Sequence, residues 1–245
     1  MTSCTLIQLN IERDKHLERV LPFLTEQRPD VVCMQEIREH DISKFEALGF
    51  HSYFVPMNNR EEQGHSFVQG VALFSMMPFQ KTWALQYGGP KGELPHYGGA
   101  DPVAKHGSQR FSIAFGEVVK EDTLFRVGTT HFPWTKDGLP TDFQRVDMRK
   151  LLSVLAETGE CVFTGDFNAP RGDEIFSMLA LRYRDNVPSK YTSSIDGTLH
   201  KAGPLPYMVD GIFSSPAYEV TDVSMHTGIS DHCALVATIT SNEVI

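Results

Sequence analysis

The chain has 245 residues, of which 41% are hydrophobic, and its formal net charge at pH 7 is -9. This length and composition supply enough apolar surface for a sizeable core and argue against a disordered chain. Tight binding of long nucleic acid depends on Lys and Arg neutralising phosphates. The acidic balance therefore disfavours a processive nuclease and is compatible with a small or terminal substrate.

The N-terminal segment, MTSCTLIQLNIERDKH, has no basic start and no sustained apolar run, which predicts that the chain carries no signal peptide. No later stretch approaches the length of a membrane-spanning helix, so we expect no stable membrane insertion. Cys4, Cys33, Cys161 and Cys233 lie in or beside apolar runs and form no CxxC pair, which predicts buried free thiols. We therefore expect a cytoplasmic protein, and nothing in the sequence suggests a state other than a monomer.

The first part of the chain alternates between strand and helix patterns. Pro22 lacks a backbone N–H and predicts a kink or a late start in the first helix. Strands are predicted at Thr5–Leu9, Asp30–Gln35, Ser52–Val55 and Gly70–Ser75, and helices at Lys15–Gln27 and Asp41–Leu48.

The later part of the chain is richer in strand patterns. Residues Arg110–Val119 and Thr123–Phe132 are typical of the two strands of a hairpin. Thr141 followed by Gln144 predicts a capping box that begins a helix running to about Glu157. The remaining predicted elements are a helix at Asp173–Leu181 and strands at Cys161–Thr164, Val209–Phe213, Glu219–Ser224 and Ala234–Thr240.

Two segments, Met57–Gln69 and Tyr87–Gln109, show neither periodicity and are predicted to be irregular. Long irregular segments within a compact domain tend to form functional rims or lids. The chain contains no internal repeat and no linker composition, so residues 1–245 are expected to form a single domain.

Polar side chains close the first two predicted strands. Asn10 ends the first strand and Glu36 ends the second, in the run VVCMQE. If a helix connects these strands within one sheet, the right-handed crossover makes them parallel and brings both ends to one edge. The alternatives are that Asn10 is a turn former and that Glu36 is an ordinary exposed acid.

The segment CVFTGDFNAP places an apolar strand directly before Gly165, Asp166 and Asn168. Side chains two residues apart on an extended chain share a face, so the carboxylate and the amide are predicted to point into one pocket. An Asx-rich turn is the alternative interpretation of this segment.

The segment ISDHCALVATIT places Asp231 and His232 side by side before an apolar strand. Neighbours on a regular strand face opposite sides, so both residues are predicted to lie on the loop leading into it. Asp210 interrupts an apolar strand in MVDGIF, where an uncompensated carboxylate is costly, so it is expected to pair with a group such as a histidine. His131 ends a hairpin strand in TTHFPW, with a purely structural histidine as the alternative.

These candidates form an oxygen-rich set with two histidines. Carboxylate and amide oxygens suit Mg²⁺ or Mn²⁺ rather than zinc or copper. Such a site suits phosphoryl chemistry, in which a cation neutralises charge while a carboxylate orients water. The oxygen-bearing candidates are Asn10, Glu36, Asp166, Asn168, Asp210 and Asp231.

Six short motifs occur in one order along the chain: LNI, the QE at Gln35-Glu36, the TH at Thr130-His131, GDFN, the Asp of VDGIF and the closing SDH. Together this set resembles the endonuclease/exonuclease/phosphatase superfamily of deoxyribonuclease-I-like metal-dependent phosphoesterases. The resemblance covers essentially the whole chain. It implies an α/β fold, a four-layer sandwich of two packed mixed, mostly antiparallel sheets flanked by helices, with the site at one edge.

The resemblance also implies roles at the metal. Glu36 would be the principal ligand, with Asn10 and Asp231 close to the ion or its waters. One ion is expected, and in a two-ion version Asp166, Asn168 and His232 would line the second site.

For catalysis, the resemblance implies that Asp166 orients or deprotonates the attacking water. Asn168 and His232 would bind the non-bridging phosphate oxygens. His131 would assist the leaving group or the phosphate, and Asp210 would fix the orientation of that histidine.

Some positions depart from the patterns of particular subgroups. AP endonucleases usually carry a tyrosine where this chain has His131, and a second acid where Glu12 stands. Trp134 could stack on a base or leaving group, with a packed rim aromatic as the alternative. Arg145 and Arg149 share a helix face and are expected to be a solvated pair.

Three hypotheses follow. The leading one is hydrolysis of a phosphodiester by in-line attack of water, on a nucleic acid end, a protein–DNA adduct or a nucleotide. The second is a phosphomonoesterase or a lipid-head-group phosphodiesterase of the inositol-phosphate or sphingomyelin type, which a basic pocket formed by Lys91, His96, Lys105 and His106 would favour. The third is a non-catalytic binding protein on the same fold.

Overall fold

Strands dominate the computed structural model, which describes residues 2–241. They form two six-stranded sheets, in the orders β11-β12-β1-β2-β4-β3 and β5-β6-β7-β8-β10-β9. In chain order the strands are β1 (Ser3–Asn10), β2 (Val31–Arg38), β3 (His51–Glu62), β4 (His65–Ser75), β5 (Phe79–Gly88), β6 (Phe111–Lys120), β7 (Thr123–His131), β8 (Val162–Asp166), β9 (Arg184–Asp185), β10 (Asp210–Ser214), β11 (Tyr218–His226) and β12 (Ala234–Ser241).

Five α-helices connect the strands within the described part of the chain. They are α1 (Leu17–Gln27), α2 (Ile42–Glu46), α3 (Pro102–Gly107), α4 (Asp142–Thr158) and α5 (Glu174–Ala180), with short 3-10 turns at Glu39–Asp41 and Lys136–Gly138. Within residues 2–241, none of these helices combines the length and apolar character needed to cross a membrane.

The strand pairing confirms the predicted mixed, mostly antiparallel sheets. β1 pairs with β2 in parallel, with Asn10 level with Gln35, as the crossover through α1 predicts. β7 and β8 form the other parallel pair among the described strands, with His131 level with Asp166. The remaining pairs are antiparallel.

Side-chain alternation along β1 separates the two sides of its sheet. Leu6 belongs to the core between the sheets, whereas Ile7 and Leu9 pack in a separate cluster with α1 and α2. Gln8 and Asn10 share the face of Leu6 and therefore point toward the second sheet. With α4 and α5 packed on that second sheet, the chain forms the four layers implied by the resemblance.

The prediction that Met57–Gln69 is irregular is wrong. These residues belong to a long hairpin of β3 and β4, whose tight turn at Gln63 and Gly64 has positive φ at both positions. The outer half of the hairpin is polar and largely solvated, so it lacks the apolar alternation on which strand prediction depends.

The prediction that Tyr87–Gln109 is irregular is only partly right. β5 runs to Gly88 and α3 forms within the segment, while the residues between them are irregular. The sequence patterns do not predict β5, because it is an edge strand in which only Tyr87 and Gly88 are buried, although its Trp83 stacks on Phe115. The two-residue β9 was missed as well.

Local signals in the helices and thiols are largely confirmed. The hydroxyl of Thr141 accepts the N–H of Gln144, and the Gln144 side chain accepts the N–H of Thr141, so α4 begins with a complete capping box. α1 already begins at Leu17, so Pro22 does not delay the helix start. Within residues 2–241 the four cysteines are buried, and none is joined to another by a disulfide.

Phe163 on β8 is fully buried and contacts the rings of Phe167, Tyr183 and Phe213. Phe163→Ala should lower the free energy of unfolding by about 4 kcal/mol, because it leaves an unfilled cavity in an aromatic cluster. Chemical denaturation measures this change, with the exposed Leu181→Ala as a control that should change stability by less than about 0.5 kcal/mol. Equal effects of the two substitutions would contradict this packing.

Candidate active site

Polar side chains from both sheets meet at one edge of the sandwich. In the second sheet, Asp166 lies level with His131 on β7 and level with Asp210 on β10. In the first sheet, Asn10 lies at the end of β1 and faces them. The structure therefore brings together most of the residues predicted from the sequence.

Asn10 links the two sheets. Its Nδ2 lies 3.1 Å from Asp166 Oδ2 and 3.5 Å from Glu36 Oε1. Its Oδ1 accepts the backbone N–H of Glu12 at 3.1 Å. Asn10 is thus a turn former and a member of the site at the same time.

Glu36 reaches this edge through a backbone irregularity. Regular alternation would direct Glu36 to the helix-covered face, since Met34 lies on that face and Gln35 lies toward the second sheet. Instead, the pairing with β4 shifts between Met34 and Ile37, and Glu36 has a φ of 59°. This bulge re-aims the carboxylate toward Asn10. The expectation that the strand ends at Glu36 is wrong, because β2 continues to Arg38.

Arg13 is a site residue that the sequence interpretation missed. Its Nη1 donates to Glu36 Oε2 at 2.8 Å, and its guanidinium also contacts Glu12 and Glu62. Burial alone would raise the pKa of Glu36, but His131 and Arg13 outweigh it and lower that pKa. Arg13 has positive φ and only 8% exposure, and no periodic pattern predicts a buried arginine in such a turn.

Asp210 pairs with a histidine, as its buried position predicted. The partner is His232, whose Nδ1 lies 2.7 Å from Asp210 Oδ2. The other oxygen of Asp210 accepts Gln8 Nε2 at 2.8 Å. The expected pairing of Asp210 with His131 is therefore corrected: Nε2 of His131 lies 3.5 Å from Asp166, and its buried Nδ1 has no hydrogen-bond partner among the described residues.

Asp166 lies at the centre of this group. Its Oδ2 is 3.5 Å from His131 Nε2 and 3.8 Å from His232 Nε2. Burial and the nearby Asp210 raise the pKa of Asp166 despite the two histidines. Burial would lower the pKa of His232, but Asp210 and Asp166 outweigh it and hold that pKa well above its usual value.

Asn168 does not share a strand face with Asp166. β8 ends at Asp166, and Asn168 has a φ of 47°, so alternation no longer applies there. The N–H of Asn168 donates to Asp166 Oδ1 at 2.8 Å, and its side chain donates to the Phe132 carbonyl at 2.9 Å. The Asx turn is therefore present, and it fixes the Asp166 carboxylate.

Asp231 and His232 precede β12, as predicted. Asp231 is 7% exposed, and burial together with Glu12 and Glu36 raises its pKa to about 6. Within residues 2–241, two groups of acids and histidines bring three potential ligand atoms within 4.8 Å of one another: Glu12, His16 and Asp231, and Asp166, Asp210 and His232.

Trp134 lies outside the hydrogen-bonded group. It is 42% exposed, and Lys105 Nζ lies 4.2 Å from its ring centroid. Two members of the predicted basic pocket have other partners: Nε2 of His106 lies 2.6 Å from Asp147 Oδ2, and Lys105 lies over Trp134. His96 pairs with Asn59 through the backbone.

Arg149 is exposed and Arg145 is half-buried at the surface, in line with the predicted solvated helix face. The guanidinium of Arg145 also bonds to Glu174 of α5 and to Asp142.

Gln8 and Gln35 support the site, although the sequence patterns assign neither of them a role in it. Gln8 donates to Gln35 at 2.9 Å, and Gln35 donates to Thr129 at 2.8 Å across the sheets. Both glutamines are fully buried in otherwise apolar strands. A buried amide needs partners, so this position within the strands was the signal that could have found them.

Asn10, Glu36 and Asp231 offer oxygen ligands that suit a hard divalent cation. Burial, and then the neighbouring Glu12 and Glu36, raise the pKa of Asp231, and a bound cation would offset both effects. The residues at this edge therefore fit a metal ion.

A model of the Endonuclease/Exonuclease/phosphatase family matches residues 7–232. The fold and the polar edge are thus those of a known class, and the chain belongs to this family. No curated protein matches it in sequence.

Solved structures share the fold at low identity. The endonuclease/exonuclease/phosphatase from Beutenbergia cavernae DSM 12333 has a TM-score of 0.76 and 16% identity, covering 98% of this chain and 72% of that one. The human Nocturnin catalytic domain with bound sulfate has a TM-score of 0.72 and 16% identity, covering 98% and 94%. A mannosyl-6-phosphatase from Bacteroides thetaiotaomicron VPI-5482 has a TM-score of 0.71 and 13% identity, covering 97% and 99%.

The Asp210–His232 pair gives a pH prediction. Asp210→Asn should lower the pKa of His232, because burial then acts without its strongest opposing carboxylate. A raised histidine pKa stabilises the fold fully below about pH 6.5, and this contribution is lost as pH rises through the folded-state pKa. NMR titration of the imidazole measures the shift, with the exposed Asp222→Asn as the control. An unchanged His232 pKa in Asp210→Asn would contradict the pairing.

Proposed function

We propose that this protein hydrolyses a phosphodiester by in-line attack of water and depends on a bound divalent cation. The observation that carries the proposal is the Asn10 side chain, which joins Glu36 of one sheet to Asp166 of the other. A ligand for a cation and a group able to activate water are thereby held beside each other.

Asn10, Glu36 and Asp231 would hold one Mg²⁺ or Mn²⁺. When bound, such an ion neutralises charge on the phosphate oxygens and polarises the ester. One ion is proposed. In a two-ion version Asp166, Asn168 and His232 would line the second site, where Nε2 of His232 lies 3.8 Å from Asp166 Oδ2.

Asp166 is the proposed base or orienting group for water. The Asn168 N–H holds Oδ1, and Oδ2 points toward the two histidines. Its raised pKa makes the carboxylate a better proton acceptor than a solvated aspartate.

His232 and Asn168 are proposed to bind non-bridging phosphate oxygens. Asp210 holds Nδ1 of His232, which leaves Nε2 on the side of Asp166. The raised pKa of His232 favours the positively charged ring. A cationic ring stabilises the negative charge that develops on the phosphate oxygens during the reaction. Asn168 uses its amide on Phe132, but an amide carries two donor hydrogens and so retains capacity for a phosphate oxygen.

His131 is proposed to assist the phosphate or the leaving group. Its ring lies beside Asp166, and its place at the end of β7 is fixed by the parallel pairing with β8. Trp134, three residues later and largely exposed, is proposed to stack on a base or leaving group.

The substrate class follows from charge. The arginines near this edge, Arg13, Arg38 and Arg60, each contact Glu62. Paired arginines provide less attraction for a long polyanion than an open basic surface would. This arrangement and the overall charge favour a short substrate, namely a nucleic acid end, a protein–DNA adduct or a nucleotide.

The phosphomonoesterase alternative keeps some support from the mannosyl-6-phosphatase with the same fold. Its expected basic pocket is weakened because His106 is bonded to Asp147 and Lys105 lies over the Trp134 ring. Parallel assays on short oligonucleotides, cyclic nucleotides and sugar phosphates, with and without EDTA, distinguish the two. Cation-dependent cleavage of diesters alone supports the proposal, and cleavage of monoesters alone would replace it with the alternative.

Asp166→Asn should reduce kcat by about 10²- to 10⁴-fold, because the water loses its proton acceptor. Steady-state kinetics on the best substrate measure this loss. The matched control is Asp122→Asn, an exposed turn residue with positive φ that asparagine tolerates. Full activity of Asp166→Asn would remove Asp166 from the mechanism.

Glu36→Gln should weaken cation binding and turnover together, because the substitution removes a charged ligand. Titration with Mg²⁺ and Mn²⁺, followed by calorimetry and by initial rates, measures both. Unchanged metal-dependent hydrolysis in Glu36→Gln would overturn the proposed function.

A further inference from the structure

His16 lies beside the proposed cation site, and the proposed hydrolysis gives it no role. It is 9% exposed, and its Nε2 lies 3.3 Å from Glu12 Oε2. With a carboxylate oxygen of Asp231, these atoms all lie within 4.8 Å of one another. Ligands of a six-coordinate ion at about 2.1 Å stand about 3 to 4 Å apart, so this spacing fits one ion.

The turn after β1 creates this arrangement. Glu12 and Arg13 both have positive φ, at 44° and 67°, and fold the chain back sharply. His16 then immediately precedes α1 and faces Glu12 from four residues along the chain. A backbone turn of two consecutive left-handed residues is unfavourable for non-glycine side chains, and such strain is typical of functional sites.

The two oxygens of Glu12 have different surroundings. Oε1 contacts the cationic groups of Arg13 and Lys15, whereas Oε2 faces His16. Glu36 is divided in the same way, since Oε2 accepts Arg13 and Oε1 faces Asn10. Arg13 thus contacts one carboxylate oxygen of Glu12 and one of Glu36. The second oxygen of Glu12 faces His16, and the second oxygen of Glu36 faces Asn10.

The Asp231 carboxylate completes the group from a distant part of the chain. It is buried, and Glu12 and Glu36 both act on it electrostatically. A structural contact between Glu12 and His16 would need no second carboxylate beside it. A divalent cation would compensate the two carboxylates and take the imidazole nitrogen as a ligand.

Resting on the proposed function, we infer that the cation bound by Asp231 also takes a nitrogen ligand from His16 and an oxygen ligand from Glu12. Imidazole suits transition-metal ions, whereas Mg²⁺ prefers an all-oxygen environment. The site therefore selects Mn²⁺ or a similar transition-metal ion over Mg²⁺.

Electron spin echo spectroscopy of Mn²⁺ added to the full chain tests this directly, because a bound imidazole nitrogen modulates the echo. The wild-type protein should show this nitrogen coupling, and His16→Gln should lose it. His16→Gln should also weaken Mn²⁺ binding by about tenfold or more, while Mg²⁺ binding changes less. His40→Gln is the control, since its ring is 59% exposed and outside the group.

A second variant addresses folding. In His16→Ala, imidazole added to the buffer should restore the nitrogen coupling if the fold is intact and the ring is a ligand. Coupling that persists in His16→Gln, or that disappears only in His232→Gln, would place the ion elsewhere and overturn the inference.

The spectroscopy also separates this inference from the proposed function. Mn²⁺-dependent hydrolysis without nitrogen coupling would overturn the His16 ligand and leave the function standing. Nitrogen coupling that depends on His16, without hydrolysis of any ester, would support the ligand and overturn the function.

Discussion

The side chain of Asn10 holds together two sheets at an edge where both carry buried carboxylates. Its amide nitrogen approaches Asp166 on one sheet and Glu36 on the other. An aspartate at this position would add a third negative charge, and an alanine would leave two acids facing each other. The neutral amide donor allows the acids to be close without direct contact, and the rest of the site depends on that spacing.

Around this contact, each buried charge has a compensating group. His232 balances Asp210, and Arg13 balances one oxygen of Glu36. Gln8 completes the hydrogen bonds of Asp210. Burial, together with the neighbouring Glu12 and Glu36, raises the pKa of Asp231 to about 6 despite the adjacent His232, and Asp231 lies where the proposed cation would bind. A cation bound there would balance the acids that the protein's own cationic groups leave uncompensated.

Much of the fold, and the placement of several site residues, could be predicted from the sequence because they depend on regular helices and strands. The parallel pairing of β1 and β2 follows from the helix between them, and the loop position of Asp231 follows from the apolar strand after it. The Thr141 capping box is a purely local signal.

The remaining features depend on backbone irregularities and tertiary contacts. The bulge at Glu36 reverses the direction that alternation assigns to its side chain, and sequence periodicity cannot reveal it. The left-handed turn at Glu12 and Arg13 similarly brings His16 into the site without any periodic signal. Asp210 could be predicted to pair with a histidine, but the choice between His131 and His232 is made only by how the sheets pack.

The central claim is that the edge defined by Asn10, Glu36 and Asp231 binds the catalytic cation. Crystals soaked in Mn²⁺ and measured near the manganese absorption edge would locate the ion by its anomalous scattering. We expect one strong peak within bonding distance of Glu36 and Asp231. A peak held instead by Asp166, Asp210 and His232, or one that makes no bond to Glu36, would contradict it.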